Sequence, residues 1–217
     1  NNPTGAVATK AFYEKLVAWA KTYEVGVVSD LAYGALGYQG YENPSFLSTP
    51  GAKDVGIEFY TFSKTFNMAG WRLAFAAGND QMIEALNLIQ DHLFVGIFPA
   101  LQEAGIAALL DPKSEEAVAQ LNATYDSRRD AFVQAAAKIG WQAFPSRGSF
   151  YAWMPVPEGY TSESFTDLLL EKAHVAVAPG KGFGPAGDAY VRIGLLVEPE
   201  RLVEAVDRIA NLHLFNN

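Results

Sequence analysis

A single lysine in this sequence is surrounded by residues that carry hydroxyl groups. Lys64 lies in the run from Tyr60 to Arg72, which also contains Thr61 and Ser63. Other side chains capable of chemistry lie before and after this run, at Asn2, Asp30, Tyr33 and Arg192. An amine, an acid, a phenol, an amide and two guanidinium groups could together hold an aldehyde cofactor that carries a phosphate. They could also process an amino acid on that cofactor.

The lysine and the acid have complementary chemistry. An unprotonated Lys64 amine can form a Schiff base with a carbonyl cofactor, and nearby cations or desolvation would favour loss of its proton. Asp30 could pair with a protonated ring nitrogen, which keeps a pyridine ring poor in electrons and able to stabilise a carbanion. Tyr33 and Asn2 could donate hydrogen bonds to a phenolate oxygen on the same ring.

The remaining groups suit anions. Thr61, Ser63 and Arg72 supply hydroxyls and a planar guanidinium that match a phosphate. Arg192 could bind the carboxylate of a substrate in bidentate fashion. The sequence therefore predicts two anion-binding positions beside a reactive amine.

Each of these residues also has an ordinary explanation. A lysine is most often a solvated surface charge, and an aspartate often caps a helix or a turn. Tyr33 could belong to a core, Asn2 to a turn, and the two arginines to surface salt bridges. Their order along the chain and their placement beside predicted strands favour the shared site.

The first part of the chain predicts alternating helix and strand. Apolar residues near helical spacing predict a helix from Thr9 to Tyr23. Apolar runs at residues 25–29, 56–61 and 73–78 predict strands, the first of the kind found in buried parallel sheets. Asp30 and Lys64 then fall at or just beyond strand ends, where open α/β sheets bind ligands.

The second part predicts a small α+β domain. Ser114 is expected to cap a long helix that runs to about residue 139 and stops at Gly140. Further elements follow in the order strand, helix, strand, strand and helix, at residues 149–154, 163–173, 175–178, 190–195 and 199–212. The long helix is expected to join this domain to the first part.

Composition excludes several classes of function. Half of the residues are hydrophobic and 18% are charged, which suits a globular protein, and the net charge of −8 argues against a nucleic-acid partner. Without cysteine there is no disulfide or thiolate site, and the three histidines show no metal-ligand spacing. No apolar run reaches the length of a membrane span. We therefore expect neither a metal site nor a membrane partner.

Two local sequence patterns, at the start of the chain and at residues 182–187, bear on its extent and on nucleotide binding. The chain opens with a loop sequence, Asn1 to Gly5, and has no initiating methionine, so we expect it to begin inside a larger protein. Residues 182–187 fit the dinucleotide pattern G-x-G-x-x-G, but a strand rather than a helix is predicted after them. We therefore expect no dinucleotide site there.

Taken together, these motifs resemble the class I and II aminotransferases of fold type I, which depend on pyridoxal 5'-phosphate. The resemblance covers nearly the whole chain and is strongest to the branch that contains LL-diaminopimelate aminotransferases, through residues 51–59, 63–72 and 150–155. It implies an α/β fold. Residues 1–113 would form part of a large cofactor-binding domain with a mainly parallel sheet, and residues 114–217 a linking helix and a smaller C-terminal α+β domain.

The resemblance also implies roles for the site residues. Lys64 would hold the internal aldimine and, once freed by the substrate amine, would shuttle a proton. Asp30 would pair with the pyridine nitrogen, while Asn2 and Tyr33 would bond the phenolic oxygen. Arg72 and the hydroxyl of Thr61 (where the family often has Ser) would bind the phosphate, with Ser63 close by as part of the cofactor site. Arg192, with Asn2, would bind the substrate. The reaction would exchange an amino group between an amino acid and a 2-oxo acid.

Other family features are expected outside this chain. The loop that cups the phosphate and the aromatic residue that stacks on the ring would precede Asn1. We therefore expect a fragment of a cytoplasmic homodimeric enzyme, and the isolated chain is expected to bind cofactor weakly and turn over little. Alternatives are a carbon–sulfur lyase or decarboxylating synthase of the same fold, or a non-catalytic aminotransferase-like effector-binding domain.

Overall fold

The computed structural model describes residues 1–215, which form two compact units. The lysine unit comprises Ala8–Gly37 and Glu42–Leu121. The arginine unit comprises Asn1–Val7, Tyr38–Tyr41 and the chain from Asn122 onward.

The lysine unit alternates helices and strands in its first part. Its strands are β1 (Val27–Asp30), β2 (Gly56–Thr61) and β3 (Ala74–Gly78). Its helices are α1 (Lys10–Tyr23), α2 (Ala52–Val55), α3 (Phe62–Thr65), α4 (Asp80–Leu93), α5 (Pro99–Leu110) and the first residues of α6 (Ser114–Lys138). The three predicted strands and the predicted first helix are confirmed, and the mixed α/β architecture is the expected one.

The three strands form one sheet in the order β1-β2-β3. Strands β1 and β2 are parallel, with Val27 opposite Gly56, whereas β3 is antiparallel to β2, with Ala74 opposite Thr61. The carboxyl ends of β1 and β2 and the beginning of β3 therefore lie at the same edge of the sheet. This edge positions most of the predicted site residues.

Two small apolar clusters hold the lysine unit together. Val17, Phe46 and Ala52 pack α1 and α2 together, and Phe62, Met68 and Leu73 pack the chain that follows β2. Several large apolar side chains of α4, α5 and their connection are instead exposed, namely Leu88, Ile89, Leu93, Phe94, Val95, Phe98, Ile106, Leu109 and Leu110. Strand β1 is also open, since Val28 is 62% exposed. The sequence predicted a buried strand here, whereas β1 is partly exposed within the described part of the chain.

The arginine unit has an antiparallel sheet covered by helices. Its strands pair in the order β4-β6-β5, with β4 at Tyr151–Pro155, β5 at Ala178–Pro179 and β6 at Tyr190–Gly194. Its helices are the remainder of α6, then α7 (Ser162–Leu168), which continues as a π-helical turn, and α8 (Pro199–Ala210). The predicted α+β content of this part is confirmed.

One large core stabilises the arginine unit. Trp141, Phe165 and Met154 are almost completely buried, together with Leu169, Val191, Leu195, Val206 and Ile209. The Trp141 indole nitrogen donates to the Pro155 carbonyl at 2.7 Å, so its polar atom is satisfied inside this core. Side chains from β4, β6, α7 and α8 meet here and fix the sheet that carries Arg192.

The structure corrects several predicted details. Ser114 is the first residue of α6 and its hydroxyl donates to the Ala108 carbonyl at 2.6 Å, so it does not cap the helix. Helices α4 and α5 were not expected, and β5 is shorter than expected and begins at Ala178. Gly140 does follow α6 in the left-handed conformation, with φ of 84°.

Two features of residues 1–215 concern membrane and metal binding. None of the helices among these residues is long and apolar enough to cross a membrane. Within the same residues there is no group of three or more His, Cys, Asp or Glu side chains that could hold a metal ion.

Candidate functional site

The candidate site of the lysine unit begins where β1 and β2 end. Asp30 is the last residue of β1, and the next amide, of Leu31, donates to the Phe59 carbonyl of β2 at 2.9 Å. Thr61 is the last residue of β2, two residues beyond Phe59, which pairs with Asp30. The two parallel strands therefore bring Asp30 and the residues around Lys64 to one edge, as open α/β sheets do for ligand sites.

Lys64 lies on the single turn of α3, which hydroxyl groups brace on both sides. The Thr61 hydroxyl caps the turn by accepting from the Ser63 amide at 3.2 Å, and it also donates to the Ser63 hydroxyl at 3.0 Å. The Tyr60 hydroxyl donates to Thr65 at 2.7 Å. Ser63 and Thr65 are buried while Lys64 is half-buried, so the turn holds the amine at the edge of the sheet.

Arg72 reaches the same edge because β3 is antiparallel to β2. The Phe62 amide donates to the Leu73 carbonyl at 3.2 Å and closes the loop that carries both Lys64 and Arg72. Arg72 has a left-handed backbone with φ of 55°, a conformation that non-glycine residues adopt at an energetic cost. Its side chain is exposed and lines a cleft of about 760 Å³ together with Trp71.

Tyr33 lies in the turn that follows Asp30. The Gly34 amide donates to the Leu31 carbonyl at 3.2 Å, which forms the turn. The Asn43 side chain then donates to the carbonyls of Tyr33 at 3.1 Å and Gly34 at 3.2 Å. One amide group therefore fixes the backbone that carries the half-buried phenol.

The buried side chain of Glu58 links the two parallel strands near this edge. Glu58 on β2 is only 7% exposed and accepts three hydrogen bonds. The donors are the Ser29 hydroxyl of β1 at 3.0 Å, the Ser45 hydroxyl at 2.5 Å and the Phe46 amide at 2.7 Å. Glu58 thus ties β1, β2 and the 45–48 turn together, two residues before Tyr60.

The arginine unit brings together the two remaining predicted residues. Arg192 on β6 donates to the Asn2 side-chain oxygen at 2.7 Å, although the two residues are 190 positions apart in sequence. The first residues of the chain reach this unit through a bond from the Arg147 amide to the Gly5 carbonyl at 3.3 Å. Gly5 is required there, because a Cβ atom would lie 2.0 Å from the Ser146 hydroxyl.

The predicted residues therefore fall into two sets. The lysine unit carries Asp30, Tyr33, Thr61, Ser63, Lys64 and Arg72, and the arginine unit carries Asn2 and Arg192. The donor set in the lysine unit fits a phosphorylated aldehyde: one amine, one carboxylate, a phenol, hydroxyls and the guanidinium of Arg72, which lines an open cleft. The arrangement can bind an anion next to an amine and a carboxylate.

Several residues near these sets were not singled out from the sequence. Tyr60 and Thr65 bond across Lys64, and Glu58 supports the strands from inside. In the arginine unit, Tyr151 and Phe183 contact the Arg192 guanidinium. The alternation of residues along β2 could have indicated Tyr60, whereas the contacts of Phe183 depend on a turn that no periodicity predicts.

Known proteins similar to this chain share a single family. Residues 1–209 match the family described as Aminotransferase class I and II. The chain is 59% identical over 215 residues to the L-glutamine--4-(methylsulfanyl)-2-oxobutanoate aminotransferase of Bacillus subtilis (strain 168), covering 99% of this chain and 54% of that protein. It is 47% identical over 209 residues to the LL-diaminopimelate aminotransferase of Moorella thermoacetica, covering 96% and 53%. The chain thus spans about half the length of these curated relatives.

Solved structures agree with the sequence relatives. The apo structure of BacF from Bacillus subtilis superposes with a TM-score of 0.94 at 46% identity, covering 100% of this chain and 55% of that one. An aminotransferase from Staphylococcus aureus gives a TM-score of 0.95 at 40% identity, with coverages of 100% and 57%. The likeness to LL-diaminopimelate aminotransferases is confirmed, and enzymes of this family are generally dependent on pyridoxal phosphate. This chain belongs to the class I and II aminotransferase family.

Proposed function

We propose that this chain binds pyridoxal 5'-phosphate covalently at Lys64 and serves the transfer of an amino group between an amino acid and a 2-oxo acid. The observation that carries the proposal is the shared sheet edge in the lysine unit. Asp30, the turn from Thr61 to Lys64, and Arg72 all reach this edge, two of them from parallel strands and one from the antiparallel neighbour. Membership of the aminotransferase family supports the same reading.

Lys64 and Asp30 carry the central chemistry in this proposal. When bound, the cofactor supplies a carbonyl that condenses with amines and a pyridine ring that accepts electrons. The Lys64 amine would hold the cofactor and, with a substrate present, would hold or move a proton at the substrate Cα. The Asp30 carboxylate accepts a hydrogen bond from the ring nitrogen and keeps that nitrogen protonated.

Other side chains of the lysine unit bind and orient. The hydroxyls of Thr61 and Ser63 and the guanidinium of Arg72 hold the phosphate, for which charge-assisted hydrogen bonds are especially strong. Tyr33 donates to the phenolic oxygen of the ring. The Asn43 side-chain amide holds the turn that carries Tyr33. It therefore limits how far the Tyr33 phenol can move relative to Asp30.

The arginine unit is proposed to recognise the substrate. Arg192 binds the α-carboxylate in bidentate fashion, since a guanidinium presents parallel N–H groups that match a carboxylate. Asn2 accepts from Arg192 through its side-chain oxygen, which leaves its amide N–H groups to donate to the substrate.

Three broader expectations remain proposals. Residues 1–113 are assigned to the large cofactor-binding domain and residues 114–217 to the linking helix and small domain. The working protein is proposed to be a homodimer. Sedimentation equilibrium tests this directly, and a monomer at all protein concentrations would contradict it. A cytoplasmic location stays a prediction.

Covalent labelling tests the role of Lys64. The chain is mixed with pyridoxal phosphate, reduced with sodium borohydride, digested and mapped by mass spectrometry. We expect the phosphopyridoxyl mass mainly on Lys64, because the hydroxyls of Thr61 and Ser63 lie on the same turn and suit the cofactor phosphate. Lys64→Ala should abolish this preferred label, while the matched control Lys53→Ala, at an exposed position, should leave it unchanged. Equal labelling of all lysines would contradict the proposal.

A transfer assay tests the reaction class. The chain is supplied with glutamine or LL-diaminopimelate as donor and 4-(methylsulfanyl)-2-oxobutanoate as acceptor, the compounds that appear in the names of two relatives. A keto acid formed from either donor only when the acceptor is present indicates amino transfer. Pyruvate, ammonia and a thiol released from cystathionine without any acceptor would instead indicate carbon–sulfur cleavage. Lys64→Ala should lower the rate by roughly 10²–10⁴-fold or more, the range for loss of a general acid–base group.

A further inference from the structure

Two aromatic rings flank the guanidinium of Arg192. Its central carbon lies 4.2 Å from the ring centre of Tyr151 and 4.7 Å from that of Phe183. Both distances are well inside the roughly 6 Å range of cation–π attraction. We call Tyr151 and Phe183, with the Asn2 oxygen that accepts from Arg192, the arginine clamp.

The strands of the arginine unit place these rings. Arg192 on β6 is opposite Trp153 on β4, and Tyr151 lies two residues earlier on β4, so the three side chains share one face of the sheet. Phe183 ends the 3₁₀ turn Gly180–Phe183 and contacts Trp153 edge to face at 6.0 Å. Trp153 is 5% exposed and stacks on Tyr190, so it gives Phe183 a fixed support.

The rings leave the hydrogen-bonding capacity of Arg192 available. A guanidinium has five N–H donors, and the Asn2 oxygen is the acceptor that the structure gives it. Among residues 1–215 no salt bridge involves Arg192, in contrast to Arg128, which pairs with Glu198 at 2.8 Å. Aromatic carbon attracts the cation without competing for its N–H groups. The clamp can therefore order the side chain while it remains free to bind an anion.

We propose that Tyr151 and Phe183 are positioning residues that hold the Arg192 guanidinium ready for the carboxylate of an amino acid or 2-oxo acid. This inference rests on the carboxylate-binding role proposed above for Arg192. An arginine side chain loses rotamer entropy when it is fixed. The clamp imposes this loss during folding, so that less of it opposes ligand binding.

Nuclear magnetic resonance of the 217-residue chain tests this proposal without cofactor. Arginine is labelled with ¹⁵N, and the Nε–H resonance of Arg192 is assigned by its loss in Arg192→Lys. Sodium 2-oxobutanoate is titrated as the probe, and its dissociation constant is read from the shift of that resonance. In Arg192→Lys, which lacks this resonance, the constant is read from the broadening of the probe signals. We expect Phe183→Leu and Tyr151→Leu each to raise this constant about fivefold, the effect of losing a typical cation–π contact.

Matched variants separate positioning from general damage to the fold. Phe144→Leu changes a similarly exposed phenylalanine of the same unit, 44% against 41%, and should leave the constant unchanged. Phe183→Trp keeps an aromatic face and should restore binding. The unliganded Arg192 resonance should also move in Phe183→Leu, because the ring current of Phe183 is removed.

The outcomes distinguish this inference from the proposed function. If Arg192→Lys weakens binding but Phe183→Leu and Tyr151→Leu do not, the clamp is overturned while the role of Arg192 stands. If Arg192→Lys binds the probe as well as the parent does, or the parent shows no binding, the proposed role of Arg192 fails, and the clamp with it. Equal weakening by Phe144→Leu also overturns the clamp.

Discussion

Glu58→Ala should destabilise the lysine unit more than any exposed acid-to-alanine change. The substitution removes the acceptor of three hydrogen bonds, including the one from the Phe46 amide, whose residue is completely buried. An unpaired buried donor costs about 1–3 kcal/mol, and the two serine hydroxyls can turn to other acceptors at a smaller cost each. With the cavity that is left, the expected loss is about 3–5 kcal/mol.

Glu58→Gln provides an internal comparison. The Gln oxygen can replace the carboxylate oxygen that accepts from Ser29 and Phe46, while its NH₂ group faces Ser45, which must turn from donor to acceptor. What is lost is the charge assistance of these bonds, so about 1–2 kcal/mol is expected. The alanine variant should therefore be roughly 2 kcal/mol less stable than the glutamine variant by the same reasoning.

Hydrogen exchange at the amides of β1 and β2 measures these differences where they arise. The control is Glu84→Gln on the exposed surface of α4, for which a change within about 0.5 kcal/mol is expected. Burying a carboxylate also has a desolvation cost, which could offset its hydrogen bonds. If Glu58→Gln is as stable as the parent and Glu58→Ala loses less than about 1 kcal/mol, the reasoning from these three bonds is refuted.

Two further predictions concern the arginine unit. Asp188 accepts from the Ser162 amide at 3.2 Å and hydroxyl at 2.8 Å, and the hydroxyl bond holds the pKa of Asp188 below its ordinary value. Its contribution is fully present above the unfolded-state pKa and is lost as the pH falls through the lower folded-state pKa. Urea unfolding should therefore show Asp188→Asn less stable than the parent at neutral pH and converging with it in acid; a gap that does not change with pH would contradict this. Gly187→Ala should lower the melting temperature, because the new Cβ would lie 2.1 Å from the Gly180 carbonyl oxygen, whereas Gly182→Ala, with open space around it, should not.

The sequence predicted the elements whose signals are local. Thr9 accepts from the Phe12 amide at 3.1 Å and caps α1, which spans Lys10–Tyr23, close to the bounds that its apolar spacing predicted. The apolar run at residues 56–61 forms β2 with the predicted bounds, and Lys64 follows it as expected. These predictions needed only the apolar periodicity of a short segment and the position of a polar residue just after that segment.

The elements that were missed lack such a signal or depend on distant residues. Helix α5 carries apolar residues on nearly all sides, so no amphipathic stripe marks it. Helix α4 is the exception, since Asn79 accepts from the Met82 amide at 3.1 Å and this cap was detectable in the sequence although the helix was not predicted. The bond from Arg192 to Asn2 joins opposite ends of the chain, and no spacing rule could have indicated it.

The loop from Phe62 to Leu73 makes Lys64 and Arg72 parts of one local structure. Its base is closed by a backbone hydrogen bond and its two ends continue into paired neighbouring strands, β2 and β3. The separation of the amine from the guanidinium is therefore set within a single hairpin and does not depend on how distant segments assemble. For protein engineering, this hairpin is therefore a unit to graft whole between related enzymes. Inserting a residue within it would move the Lys64 amine relative to the Arg72 guanidinium.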